Sequence, residues 1–316
     1  MFVVLLTKLS TMAFLGALFF VPSLGGEASK ISPEYILNRY VVRAKQNNFV
    51  LSPPPAPEYI GKVLPPKVRA NAFLVMDVRS GAVLQATSSE KSMPIASLTK
   101  IMTALVATEV GYDSEELITV EFGDRVPGNV EYFSPGDKLK FKDLLAASLI
   151  SSSNTAASII ARHIGGEGFV GMMNERARRM NLTGSVFTDP TGLNPSNIST
   201  VYDIAKIILR AFGRPEISEI LTRPSYQITV ANTGRKINFV NTDQLLGSEL
   251  DNGEYKIVGG KTGYINESGY NLVLRVARGK DEIIVVVLGS ENKTERFSSA
   301  KALALWAFEN FKWPTN

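Results

Sequence analysis

Residues 72–86 read AFLVMDVRSGAVLQA, and this stretch is the best guide to the architecture. Two apolar runs flank the turn Arg79-Ser80-Gly81, a pattern that predicts a β-hairpin. Helical periodicity follows at 96–110, 141–150, 155–164, 168–180, 201–212 and 216–221. Strand patterns return at 225–231, 256–262, 270–277 and 282–289, and an amphipathic helix is predicted at 295–311. Because strands stand at both ends of this region, we expect an α/β (α+β) fold: an antiparallel sheet flanked by helices, with an inserted all-helical lobe.

Two segments before the hairpin show no pattern of a folded core. Residues 1–28 carry Lys8, an apolar run at 9–21 and then small residues, which is typical of an export signal peptide. The apolar run is also long enough to serve as an N-terminal membrane anchor, so both interpretations stay open. Residues 29–67 are polar and proline-rich and predict an extended spacer. We therefore expect an exported protein, in the periplasm or at the extracytoplasmic face of the cell membrane, whose domain spans 68–316.

The composition excludes several kinds of chemistry. The 34 basic and 30 acidic residues are spread along the 316-residue chain without a Lys/Arg block, which argues against a nucleic-acid partner. The chain has no cysteine, so disulfides and thiol catalysis are excluded. Its one histidine, His163, ends a predicted helix and is expected at the surface or in a cap, so a histidine-rich zinc site is not available. We expect no metal and no cofactor.

A serine and a lysine three residues apart on a helix project from the same face and can hydrogen-bond, so lysine can replace histidine as a base. Ser97-Leu98-Thr99-Lys100 has this spacing, as do Ser88 with Lys91 and Ser298 with Lys301. Only the first pair stands at the start of a buried helix, where free N–H groups and the helix dipole favour a developing anion. Ser97 and Lys100 are therefore the candidate nucleophile and base.

Two further short motifs follow along the chain. Ser152-Ser153-Asn154 connects two predicted helices, where a hydroxyl and a carboxamide can point into a cleft, although such connections are usually only turns and caps. Lys261-Thr262-Gly263 ends an apolar strand, and Gly263 removes a side chain so that a substrate backbone can lie close. Asp189-Pro190 is interpreted as a turn rather than as a site for a catalytic carboxylate.

The motifs Ser-x-x-Lys, Ser-x-Asn and Lys-Thr-Gly, in this order and 55 and then 109 residues apart, resemble the motif set of penicillin-binding proteins and serine β-lactamases. The segments ASLTKIMTA at 96–104, FTDPTGL at 187–193, GKTGY at 260–264 and SGYNL at 268–272 are similar to the low-molecular-mass D-alanyl-D-alanine carboxypeptidases, peptidase family S11. The resemblance runs from about residue 72 to residue 311. It implies a β-lactamase/transpeptidase-like fold with the active site at the junction of sheet and helical lobe.

The resemblance also implies the catalytic roles. Ser97 attacks the carbonyl between two terminal D-alanines, and Lys100, kept neutral by burial and by the nearby cation Lys261, accepts its proton. Ser152 relays a proton to the leaving D-alanine. β-Lactam antibiotics, which mimic this end of the peptidoglycan stem peptide, are expected as covalent inhibitors.

The substrate-binding roles follow from the same resemblance. Asn154 is expected to hold the substrate amide, and Lys261 with Thr262 to receive the terminal carboxylate. The backbone N–H groups of Ser97 and Tyr264 would hold the oxyanion. Arg296 matches a basic position that also favours the carboxylate.

The expected function is removal of the terminal D-alanine from peptidoglycan stem pentapeptides. Endopeptidase cleavage of peptidoglycan crosslinks is the alternative, since the motifs do not separate the two activities.

A class A β-lactamase is disfavoured because no glutamate lies between Glu175 and Glu216 to activate a deacylating water. An inert wall-binding or β-lactam-sensing module is disfavoured because nucleophile, base and relay are all present. Many carboxypeptidases of this branch carry a β-rich domain and an anchor helix after the catalytic domain, which this sequence lacks, so attachment by the C-terminus is not expected and the N-terminal segment is the candidate for membrane association.

Overall fold

The computed structural model describes residues 54–315, except 62, 129, 249 and 252. The strands are β1 (Glu58–Tyr59), β2 (Ala72–Asp77), β3 (Val83–Thr87), β4 (Met93–Pro94), β5 (Leu117–Thr119), β6 (Lys138–Lys140), β7 (Ile198–Ser199), β8 (Ser225–Thr229), β9 (Lys236–Val240), β10 (Lys256–Ile265), β11 (Gly269–Arg278), β12 (Asp281–Ser290) and β13 (Phe311–Lys312). The α-helices are α1 (Thr99–Val110), α2 (Phe141–Ile150), α3 (Asn154–Gly165), α4 (Phe169–Arg179), α5 (Val201–Phe212), α6 (Pro215–Leu221) and α7 (Lys293–Asn310).

Five strands form one antiparallel sheet in the order β10-β11-β12-β2-β3. The predicted hairpin is its β2–β3 edge, and the three long strands from the end of the chain complete it. Helices α1 to α6 come between β3 and β10, so the inserted helical lobe and the antiparallel sheet are both confirmed.

Both faces of the sheet are buried, and the side chains alternate between two cores. In β2, Leu74 and Met76 pack with the helical lobe, whereas Phe73 and Val75 pack against α7. Strand β12 alternates in the same way. Because a strand directs successive side chains to opposite faces, an almost continuous apolar run can serve a helix layer on each side. This layering fixes β10, at the edge of the sheet, beside the helical lobe.

The hairpin of β8 and β9 was only half predicted. The sequence indicated a strand near 225–231, and β8 occupies most of that range. Strand β9, reading KINFV, was missed although Ile237 and Phe239 are buried between exposed neighbours, which is the alternation typical of a half-buried strand. The hairpin leads directly into the loop that precedes β10.

Residues 58–60 and Val63, within the range predicted as a spacer, lie against the end of α7. Strand β1 pairs with β13, Val63 N–H donates to Asn310 Oδ1 at 2.7 Å, and Trp306 Nε1 donates to Val63 O at 2.8 Å. The domain boundary at residue 68 stays a prediction. The predicted export segment at 1–28 and most of the spacer lie outside the described residues.

In the part of the chain that the structure describes, no helix combines the length and the apolar character needed to cross a membrane.

Candidate active site

The three predicted motifs meet at one cavity of about 340 Å³ between β10 and the helical lobe. Six of the nine predicted site residues line this cavity: Ser97, Ser152, Thr262, Gly263, Tyr264 and Arg296. The other three, Lys100, Asn154 and Lys261, are buried behind its wall. The structure therefore brings together side chains that are more than 150 residues apart in the sequence.

Ser97 lies in a tight turn rather than in the first turn of an α-helix. Residues Ala96–Leu98 form a 3₁₀ turn, and α1 begins only at Thr99. Ala96 adopts a φ of +49°, a conformation that costs about 1–2 kcal/mol for a residue with a side chain. The surrounding structure must hold this turn in place.

Two glycines hold the turn by close backbone approach. A Cβ atom at Gly192 would lie 1.9 Å from Ala96 O, and one at Gly263 would lie 2.8 Å from Ile95 O and 3.1 Å from Ser97 N. Gly192 also has a φ of +84°. Strand β10 and residues 187–193 thus pack against the turn Ala96–Leu98 from two sides. We call this turn, which carries Ser97, the nucleophile turn.

Replacing Gly192 with alanine is expected to destabilise the domain by about 3 kcal/mol or more, because the new Cβ collides with backbone and the φ is left-handed. Gly234 is the matched control: its φ is +71°, yet nothing lies within 4 Å of a Cβ there. Gly234→Ala should cost only the backbone strain of about 1 kcal/mol. Thermal denaturation compares the two variants. Equal losses of stability would contradict the close packing of Gly192 against Ala96.

Lys100 is completely buried, and its amine contacts three oxygen atoms. Nζ lies 2.6 Å from Thr191 O, 2.8 Å from Asn154 Oδ1 and 2.9 Å from Ser97 Oγ. A neutral amine has two N–H donors and one lone pair. The two carbonyl oxygens accept the N–H groups, which leaves the lone pair for the hydroxyl proton of Ser97.

Burial lowers the pKa of Lys100 from 10.5 to about 7, although the charge of Asp189 acts in the opposite direction. The amine therefore loses its proton near neutral pH. Geometry and protonation both fit a general base for Ser97.

The connection between α2 and α3 supplies the second motif. Ser152 adopts a φ of +62° in this connection, and Ser153 caps α3 by accepting a hydrogen bond from Ala156 N at 3.2 Å. Asn154 begins α3, where its Oδ1 accepts from Lys100 and its Nδ2 donates to Pro127 O at 3.2 Å. Its carboxamide already has partners on both sides, so holding a substrate amide requires an exchange of hydrogen bonds.

Lys261 is also completely buried and does not line the cavity. Its Nζ donates to Ser152 Oγ at 2.9 Å and to Thr262 O at 3.0 Å. Burial lowers its pKa well below the usual value, and the charges of Lys100 and Arg296 add to this effect. Repulsion between the two lysines disfavours protonation of both at once.

The wall of the cavity beyond Lys261 carries Thr262 and Arg296. Thr262 Oγ1 donates to Thr242 Oγ1 at 2.7 Å. Arg296, only 5% exposed, donates from Nη1 to Gly263 O at 3.3 Å and lies over the Tyr270 ring, 5.5 Å from its centroid. Its Nε has no partner among the described residues, and burial lowers its pKa to about 10. These groups form the end of the cavity suited to an anion.

Tyr264 extends this wall to the surface. Its side chain is 48% exposed, its hydroxyl donates to Asn266 Oδ1 at 2.8 Å, and its ring lies 4.3 Å from that of Tyr270.

The sequence did not indicate several residues that line the cavity. They share no motif and come from five separate segments: Gly128, Ser151, Asn241, Thr242, Gln244, Tyr270 and Lys293. Their common feature is position in the fold, which local sequence patterns do not reveal.

The competing Ser-x-x-Lys pairs lie elsewhere. Ser88 and Lys91 are exposed in the loop after β3, and Ser298 donates to Thr294 O on the outer face of α7. His163, near the end of α3, places Nε2 3.2 Å from Glu116 Oε2 at the surface, as expected. Within residues 54–315, apart from the gaps given above, no group of three or more His, Cys, Asp or Glu side chains is arranged to hold a metal.

Asp189 organises a turn, as the sequence indicated. Its Oδ1 accepts from the N–H groups of Thr191 and Gly192, and its Oδ2 accepts from that of Asn194. Burial alone would raise the pKa of Asp189, but a hydrogen bond from the Thr191 hydroxyl, together with those from the three N–H groups, outweighs burial and lowers the pKa. The turn presents Thr191 O to Lys100 and Gly192 to the nucleophile turn.

Comparisons with known proteins show which family this chain resembles. The family model for D-alanyl-D-alanine carboxypeptidase, Peptidase S11, matches residues 61–292. A D-alanyl-D-alanine endopeptidase of Pseudomonas aeruginosa is 29% identical over 81% of this chain and 81% of its own length. The Escherichia coli D-alanyl-D-alanine carboxypeptidase DacC is 31% identical over 79% of this chain and 64% of its own length. The ampicillin-bound penicillin-binding protein D2 of Listeria monocytogenes superposes with a TM-score of 0.68 at 27% identity, over 78% of this chain and all of that one.

Proposed function

This chain belongs to the D-alanyl-D-alanine carboxypeptidase family of serine peptidases, and from this membership we propose how its own residues act on peptidoglycan stem peptides. The proposed activity is removal of the terminal D-alanine through an acyl-enzyme on Ser97. The observation that carries the proposal is the buried Lys100 amine, 2.9 Å from Ser97 Oγ, with two carbonyl oxygens holding its N–H groups.

Acylation begins at Ser97. Its Oγ attacks the carbonyl carbon of the D-alanyl-D-alanine bond while Lys100 takes the hydroxyl proton. A new C–O bond forms, and the carbonyl oxygen carries the negative charge, held by the backbone N–H groups of Ser97 and Tyr264. When the tetrahedral intermediate collapses, the C–N bond breaks, and Ser152 gives its proton to the leaving amine and takes up the proton that Lys100 accepted from Ser97. Water then attacks the ester, Lys100 accepts a proton from this water, and the same proton returns to Ser97 Oγ as the ester bond breaks.

Binding of the terminal carboxylate is assigned to Thr262 and Arg296, which line the cavity. Because Lys261 is buried behind this wall, we propose that it acts on the carboxylate through its charge and through Ser152 rather than by open contact. Gly263 lets the turn that carries Ser97 pack against β10, and Asn154 contributes its carboxamide to the substrate once the substrate displaces the Pro127 contact.

The acylation rate of the free enzyme should rise about tenfold per pH unit below pH 7 and level off above it. The reason is that only neutral Lys100 accepts the Ser97 proton, and its pKa is about 7 rather than 10.5. Second-order rate constants for benzylpenicillin between pH 5 and 9 measure this profile. A limb centred near pH 10 would contradict the lowered pKa of Lys100, and no acidic limb at all would contradict its role as the base.

The alternative substrate is a peptidoglycan crosslink. The relative from Pseudomonas aeruginosa is named an endopeptidase and matches this chain over 81% of both lengths, which favours this second candidate. Purified muropeptides separate the two activities by mass spectrometry. Loss of one D-alanine from a pentapeptide monomer supports the carboxypeptidase, whereas conversion of a crosslinked dimer to monomers, with pentapeptide left intact, supports the endopeptidase.

We further propose that the protein works outside the cytoplasmic membrane, where its peptidoglycan substrate lies. The signal or anchor predicted at 1–28 would take it there and could also attach it to the membrane. Cell fractionation with N-terminal sequencing of the mature protein distinguishes a cleaved signal from a retained anchor.

A further inference from the structure

The loop between β9 and β10 places one acidic residue behind the cavity wall. Asn241, Thr242 and Gln244 of this loop line the cavity. Asp243 between them points inward and is only 3% exposed. It is a buried carboxyl group that the proposed reaction does not use.

The hydrogen bonds of Asp243 satisfy only one of its two oxygens. Oδ1 accepts from Leu245 N–H at 3.0 Å. Oδ2 is shielded from solvent and has no hydrogen-bond partner among the described residues. A Cβ at Gly260 would lie 2.9 Å from Oδ2, so the backbone of β10 packs directly on this oxygen, next to Lys261.

Charged groups surround Asp243 from three elements. Lys261 on β10 and Arg296 on α7 attract its negative charge, and Asp251 of the same loop repels it. Burial raises the pKa of Asp243 to about 6, although Leu245 N–H and the two cations act in the opposite direction. The carboxyl group is therefore ionised at neutral pH by a narrow margin.

We propose that Asp243 is a positioning residue that balances the charge of Arg296 and Lys261 in the empty cavity and takes up one proton when the substrate carboxylate binds. This inference rests on the proposed function, because it requires a carboxylate beside Thr262 and Arg296. The proton comes from solvent and goes to the carboxylate of Asp243, and no other bond is made or broken. The substrate carboxylate then replaces Asp243 as the counter-ion of Arg296.

The physical reason is that no hydrogen-bond donor among the described residues and no solvent stabilises a negative charge on Oδ2. A second carboxylate near Arg296 adds repulsion that the partnerless oxygen cannot relieve with a new hydrogen bond. Protonation removes this repulsion. By linkage, a ligand that raises the pKa of Asp243 must bind more tightly at lower pH.

Infrared difference spectroscopy on the full chain tests the inference, with Ser97→Ala as an inert background. The probe is an N-acylated D-alanyl-D-alanine peptide at pH 7, with its carboxylate isotopically labelled to separate its band. Binding should produce the infrared band of a protonated carboxyl group. A change in the protonation of Lys100 cannot produce this band, because an amine has no carboxyl group. The band should be absent from Ser97→Ala/Asp243→Asn and present in Ser97→Ala/Glu291→Gln, the control for an exposed carboxylate near α7.

Affinities measured on the same proteins give a second readout. The dissociation constant of Ser97→Ala should rise more than about tenfold between pH 5.5 and 8, and Asp243→Asn should remove the part of this rise that begins near pH 6. Peptide binding without the protonated-carboxyl band would overturn the inference and leave the proposed function intact. Absence of peptide binding at any pH would contradict both. The first measurement needs no substitution at Asp243, so it stands even if Asp243→Asn does not fold.

Discussion

Replacing Lys100 with methionine is expected to slow acylation by benzylpenicillin about 10³-fold at pH 7.5. The variant removes the amine beside Ser97 Oγ but keeps most of the side-chain volume in a site that is completely buried. Asn154 Oδ1 and Thr191 O lose their donor, which costs about 1–3 kcal/mol per unsatisfied acceptor, while the cost of burying an amine disappears. The fold should therefore survive the loss of activity.

Lys91→Met is the matched control, since Lys91 has the same spacing from Ser88 but is exposed in a loop. Stopped-flow acylation and thermal denaturation compare both variants with the wild type. A folded Lys100→Met protein that acylates within tenfold of the wild-type rate would show that another group accepts the Ser97 proton.

Replacing Lys261 with glutamine is expected to lower the acylation rate about 10²-fold and to move the acidic limb of the pH profile above 7. The first effect follows from losing the donor to Ser152 Oγ and a charge near the carboxylate end. The second follows from the repulsion between the two lysines, because a proton on Lys261 disfavours a proton on Lys100 and the variant removes this repulsion.

Lys261→Arg separates the two effects. It keeps the charge, so the limb should stay near pH 7, but the larger guanidinium does not fit a completely buried site and the rate should fall about tenfold. Rates for both variants from pH 5 to 10 are the measurement. A Lys261→Gln profile that coincides with the wild type would remove this lysine from the active site.

The sequence predicted the hairpin and most of the helices and strands because each depends on local pattern, whereas the meeting of the three motifs at one site was implied by the family resemblance. The apolar runs around Arg79-Ser80-Gly81 define a hairpin, and the run before Lys261 defines a buried strand. Burial depth was less predictable. Alternation along β10 assigns Lys261 to a face, but only the packed structure shows that its amine lies behind Ser152 and Thr262.

Long-range packing explains what the sequence did not indicate. The conformation of Ala96 depends on Gly192, a residue 96 positions further along the chain. No sequence pattern singled out Asp243, because the charges that act on its carboxyl group are those of Lys261 and Arg296, which belong to other elements. Such contacts follow from tertiary structure and have no fixed spacing.

Acylation of Ser97 is tested most directly by mapping the benzylpenicillin adduct on the wild-type protein by mass spectrometry. Trypsin releases Ser92–Lys100 as one peptide, and fragmentation distinguishes its three hydroxyl groups, on Ser92, Ser97 and Thr99. We expect a single penicilloyl group, located on Ser97. An adduct on Ser152 or on any other residue, or no adduct on a folded and substrate-binding protein, would contradict the assignment of Ser97 as the nucleophile.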